Sequence, residues 1–128
     1  MDGMERIRDR IAEAVRIANT DPEGQKLAHK LHDGKLLVKV GDAPGIAVLV
    51  RDGKLSLTDD TSHPKAICAF SDEQAAWALL TRSMSPYAAT VHRQLDQQGL
   101  STMNETFEKI WLLAHDRLSA GEEGGGGK

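Results

Sequence analysis

The chain has 128 residues and a net charge of −3, with 40% apolar and 27% charged residues, enough for one domain with a buried core. An isoelectric point near 5.9 excludes the clustered Lys and Arg of a nucleic-acid footprint. No apolar run reaches the roughly eighteen residues that span a bilayer, so no transmembrane segment is expected. A single cysteine, Cys68, leaves no intrachain disulfide and suits a reducing, cytoplasmic setting. The first residues, Met1 to Arg6, lack the charged-then-apolar order of a secretion signal.

A first helix is predicted from about Met4 to Ala18, where Ile7, Ile11, Ala14, Val15 and Ala18 form a narrow stripe. Asp2 and Glu5 have capping-box spacing at its start. So slight a stripe predicts a peripheral helix laid over a core. Asp21 as N-cap and Pro22 at the first helical position predict a second helix to about Leu31, against which Gly24 counts.

His32-Asp33-Gly34 reads as a turn into a strand over Lys35–Gly41, with Leu36, Val38 and Val40 alternating. Ile46–Arg51 is the next strand. Asp52-Gly53 is a type I′ hairpin signal. Lys54–Thr58 follows, with Leu55 and Leu57 expected to point inward, which completes a three-stranded meander.

Ala66–Phe70 is apolar at every position and predicts a strand buried on both faces. Ser71 stands three residues before Gln74, the spacing of a capping box, with Asp72 and Glu73 in the first helical turn. In the helix that follows, Ala76, Trp77, Leu80 and Met84 share one side. Beyond it, Tyr87, Val91 and Leu95 at helical spacing favour a helix from Pro86 to about Gln98, with Gly99 at C′. Thr102 and Glu105 cap a last helix whose face carries Phe107, Ile110, Trp111, Ala114 and Leu118. From Ser119 the Gly-rich stretch predicts a disordered tail.

In this order the elements resemble the sterol carrier protein type 2-like (SCP2) family over about Leu27 to Leu118. The resemblance is carried by the strand–Ser–Asp–Glu–helix block Ala66–Leu80, by Ser85-Pro86-Tyr87-Ala88-Ala89, by the terminal amphipathic helix and by three strands with Gly-containing turns. It implies an α+β fold, a five-stranded mixed, mainly antiparallel sheet covered on one face by helices. It divides the chain into an N-terminal helical segment (1–26), a lipid-binding domain (27–118) and the tail (119–128). It also implies a short strand over Arg93–Gly99, in conflict with the helical periodicity across Gln94–Gln98. A short helix followed by a strand reconciles the two, although Gln97 stands where an apolar residue is expected.

The implied function is non-enzymatic binding or transfer of a hydrophobic ligand in an apolar cavity between the sheet and the C-terminal helices. Phe70, Trp77, Leu80, Met84, Tyr87, Val91, Met103, Phe107 and Trp111 are the candidate lining residues, and the Tyr87 hydroxyl would orient the polar end of a ligand. The competing reading is that these side chains simply fill a core. Five aromatics in the whole chain point to a small cavity.

Other chemistry is weakly signed. His29 and His32 are three apart but lack a third ligand at a meaningful spacing, so no metal or cofactor is expected. Cys68 lies mid-strand, where a thiol behaves as a small hydrophobe. There is no phosphate-binding glycine loop or nucleophile elbow. An enzyme using a histidine such as His92 or His115 is the weaker alternative. A groove that binds a partner protein or a second copy of the chain is another.

Overall fold

The computed structural model describes residues 3–84, 88 and 92–126, with the backbone alone for 120–126. Among these residues the elements run α1 (Gly3–Thr20), α2 (Pro22–Ala28), β1 (Gly34–Val40), β2 (Ile46–Arg51), β3 (Lys54–Thr58), β4 (Ala66–Phe70), α3 (Glu73–Leu80), β5 (Leu95–Gly99) and α4 (Ser101–Gly126). The five strands lie in the order β3-β2-β1-β4-β5. The expected meander is present: β1 pairs antiparallel with β2, and β2 with β3. Asp52 and Gly53 both take positive φ, 51° and 75°, as their hairpin turn requires. β4 joins the free edge of β1 in parallel, with Leu36 opposite Ala66 and Val40 opposite Phe70. β5 closes the sheet antiparallel to β4, Leu95 opposite Phe70. The fold is thus α+β, with a mixed, mainly antiparallel sheet.

Register and burial separate the two faces. Leu36, Val38, Val40, Val48, Val50, Leu55, Cys68 and Phe70 share one face and are at most 4% exposed. Leu37, Leu49, Ile67 and Ala69 share the other and are only half-buried, beside Lys35, Lys39 and Arg51. The helices cover the first face alone. β4 is therefore not buried on both sides as its unbroken apolar run suggests. On its second face Ile67 and Ala69 are half-buried.

α1 is not peripheral. Ile7, Ile11 and Ala18 are fully buried in the same core cluster as the sheet residues, and the helix packs on α2, α3, α4 and β3. A narrow stripe suffices because Ala14 and Ala18 let neighbouring backbones come close. Gly24 shows how close: a Cβ there would lie 2.4 Å from the Ile17 carbonyl oxygen, so the glycine that weakens α2 as a helix is what lets it cross α1. Asp21 caps α2 as expected, accepting from the Glu23 and Gly24 amides. The helix stops at Ala28, with His29 as its C-cap, short of the expected Leu31. At the end of α1, Asn19 reaches the outer edge of β3. Its Nδ2 donates to the Leu55 carbonyl at 2.8 Å and its Oδ1 accepts from the Leu55 amide at 2.9 Å. This satisfies edge groups that would otherwise invite another strand.

Leu57 departs from expectation. It shares a face with Leu55, yet it is 36% exposed, because β3 is the edge strand and its neighbour across that gap is Arg8. Residues 95–99 form a strand, not the end of a helix. A Cβ at Gly99 would lie 2.3 Å from the Lys65 carbonyl oxygen, and its φ of +81° suits glycine. Gln97 is tolerated because β5 is also an edge, where its side-chain amide donates to Glu108 of α4. The proposed helix from Pro86 otherwise falls mostly outside the described residues. α4 starts at Ser101, so Thr102 lies inside the helix and is no cap; the amides of Met103 and Asn104 turn back to the Leu100 carbonyl instead. Its backbone continues through the expected tail to Gly126. Asp2 lies outside the described residues.

Candidate functional site

The apolar layer between sheet and helices is built from three elements. β4 ends in Phe70, and the chain turns at once into α3. The cap is Asp72, one residue later than the capping-box spacing implies: its carboxylate accepts from the Ala75 amide at 2.8 Å. In α3, Ala75, Ala76, Leu79 and Leu80 are buried in the core, and Trp77 is half-buried at the flank of the layer. From α4 come Met103, Phe107, Ile110, Trp111 and Ala114, at most 3% exposed. Phe107 and Trp111 stack at 5.2 Å between centroids, tilted by 34°.

The candidate lining residues thus fall into three groups. Phe70, Leu80, Met103, Phe107 and Trp111 lie together in one buried cluster. Trp77 and Met84 are half-buried against its margin. Tyr87 and Val91 lie outside the described residues. The five buried members are each at most 4% exposed.

Openings lie around it. Beside Trp77 is a depression of about 230 Å³ lined by Arg6, Asp9, Arg10, Glu13 and Leu118. Between α2 and α4 is a groove of about 480 Å³, floored by Leu27, Leu112 and Leu113 and rimmed by Lys26, Lys30 and Lys109. The arginines near Trp77 were unreadable in the sequence, where Arg6 and Arg10 look like the solvated side of α1. Their partner comes from an element more than sixty residues away, a contact no local pattern announces.

The other candidate groups are structural in this fold. Burial pushes the Cys68 thiol up to about 12, helped by the nearby Glu108 charge, which leaves it un-ionised and a poor nucleophile. His29 packs against Gly53 of the hairpin turn, and the Asp33 carboxylate accepts from the Asp52 amide at 3.0 Å. His115 accepts at Nδ1 from Arg10 Nη2 at 2.8 Å. Among the described residues no cluster of three or more His, Cys, Asp or Glu could hold a metal ion. No described helix is long and apolar enough to cross a membrane.

No family model matches the chain, and no curated protein matches it in sequence. Solved structures do. The "UbiJ-SCP2" ubiquinone synthesis protein superposes with a TM-score of 0.65 at 15% identity, over 78% of this chain and 87% of its own. The sterol carrier protein domain 2 of Helicoverpa armigera does so with a TM-score of 0.62 at 16% identity, over 88% and 87%. Sterol carrier protein-2 of Aedes aegypti, solved with the C16 fatty acid palmitate, gives 0.61 at 13% identity, over 87% and 96%. The fold is that of the sterol carrier protein 2 domains. At such identities it is the backbone that is shared.

Proposed function

We propose that this protein binds a hydrophobic ligand, a sterol, fatty acid or other lipid, without chemical change and transfers it between sites in the cytoplasm. The observation that carries the proposal is the likeness of the fold, over 87% of the chain, to a sterol carrier protein solved with palmitate. The ligand would lie between the sheet and α3 and α4, against Phe70, Trp77, Leu80, Met84, Met103, Phe107 and Trp111, with Tyr87 and Val91 as further members of the set. Two of the seven described members are methionines, whose flexible thioethers re-pack around ligands of varied shape. Because Met103 and Phe107 are each 1% exposed, entry requires α4 to draw away from β4 and β5. The ligand's own apolar surface then replaces the lost contacts, at about 25 cal/mol per Å² removed from water.

Organic extraction of the freshly purified protein tests this, together with titration of fatty acids and sterols followed by fluorescence of Trp77 and Trp111. A stoichiometric lipid, or a saturable fluorescence change with at least one ligand class, is expected. An empty extract with unchanged fluorescence across the panel would remove the proposal.

A further inference from the structure

Two cations of α1 lie over an indole without an ion pair among the described residues. The guanidinium carbon of Arg6 lies 4.4 Å from the centroid of the Trp77 ring, and that of Arg10 lies 5.9 Å from it. The Nε atoms of both are shut off from water without a hydrogen-bond partner. Among the described residues neither arginine forms an ion pair. The hydrogen bond from Arg10 goes to Nδ1 of His115 and not to a carboxylate. Two carboxylates, Asp9 and Glu13, line the same depression. Glu13 is held by Arg16 at 2.7 Å, the Glu73 carboxylate lies against Gly3, and Asp9 is exposed.

Two like charges one helical turn apart repel, and buried donors left unpaired are costly. In a chain of net charge −3 with 19 acidic residues, an arginine pair that forms no ion pair among the described residues is not explained by a shortage of partners. Stacking on an indole occupies the face of a guanidinium and leaves its N–H edges for an oxyanion. The depression they line is apolar on its other side, where Trp77 and Leu118 stand. An anionic end and an apolar end are thus accommodated side by side.

We propose that Arg6 and Arg10, stacked about Trp77, bind the anionic headgroup, carboxylate or phosphate, of an amphiphilic ligand whose chain passes Trp77 and Leu118 into the apolar layer. This rests on the lipid-binding reading above and adds to it the polar chemistry of the ligand and the end of the layer where that chemistry sits.

Calorimetric titration with palmitate, hexadecyl phosphate and hexadecanol, which carry one chain length and different heads, tests the site. The wild type should bind the two anions at least about tenfold more tightly than the alcohol, the scale of a charge-assisted contact. The double variant Arg6→Gln/Arg10→Gln should bring that ratio close to one by weakening the anions alone. Arg8→Gln, on an exposed part of the same helix, should leave it unchanged. Hexadecanol binding to the double variant as to the wild type shows that the variant is folded; Arg6→Lys/Arg10→Lys, which keeps charge but loses the fork, should give an intermediate ratio. Equal affinity for all three ligands in the wild type, or an unchanged ratio in the double variant, would overturn the headgroup site while leaving lipid binding intact. No binding of any chain would overturn both. Acetate or inorganic phosphate binding as tightly as palmitate would overturn the amphiphile in favour of a free anion.

Discussion

The two faces of the sheet carry similar side chains and different burdens. Leu36 and Leu37 are neighbours on β1, yet Leu36 is fully buried beneath the helices and Leu37 is half-buried among cations. On β4, Phe70 closes the apolar layer, whereas Ile67 on the opposite face pairs with Leu37 and Gln98. Apolar residues on a strand therefore do not reveal how many faces are packed. The covering layer decides, and here it is present on one side.

The largest effect should separate the faces directly. Leu36→Ala leaves a hole against packed side chains and should cost about 2–5 kcal/mol. Leu37→Ala removes partly solvated surface and should cost about 1 kcal/mol or less. Urea denaturation of the two variants measures the difference. Equal costs would break the comparison, since they would mean that the outer face is covered in solution.

The strands and the hairpin were legible because their signals are local: period-two alternation, Asp52-Gly53, and the Asp21-Pro22 helix start. What was misread depended on distant contacts. Leu57 reads as an inward residue and is exposed because the sheet ends beside it. Across Gln94–Gln98 helical spacing competes with the strand that the resemblance implies, and the strand forms over Leu95–Gly99 because the edge of β4 needs a partner and Gly99 must pass close to Lys65. α1 reads as a peripheral helix laid over the core, and its thin stripe is buried because it meets three helices and an edge strand at once. Of the candidate residues, Phe70, Leu80, Met103, Phe107 and Trp111 are buried in the one core cluster, which their apolar spacing announces. The Arg6–Arg10–Trp77 cluster was hidden, since it joins one turn of α1 to the flank of α3.

A second, smaller effect probes how the covered face keeps its helix. Asp72→Ala removes the carboxylate that accepts from the Ala75 amide and should cost about 1 kcal/mol. Ser71→Ala, at the position the sequence spacing favours, should change stability by no more than about 0.5 kcal/mol. Thermal unfolding of both variants checks which residue is the cap. A larger loss for Ser71→Ala would restore the capping box and shift the start of α3 by one residue.

The smallest effect lies at the rim of the covering layer, where Arg117 of α4 reaches the cap of α2. Its Nε donates to Asp21 at 2.8 Å. That hydrogen bond, supported by the Gly24 and Glu23 amides and opposed by slight burial, holds the Asp21 carboxyl below its ordinary value of 3.8. A carboxyl depressed in the folded state adds stability that is complete above the unfolded value. The contribution is lost as pH falls through the lower, folded value. Arg117→Gln should thus lower the unfolding midpoint slightly at pH 7, and the gap to wild type should narrow below about pH 4 as Asp21 takes up its proton. Added salt should shrink the same gap at neutral pH, because both partners are partly solvated. A gap that stays constant from pH 7 to pH 3 would mean that Arg117 steadies α4 through the packing of its stem rather than by its charge. The covered face would then owe nothing to this ion pair.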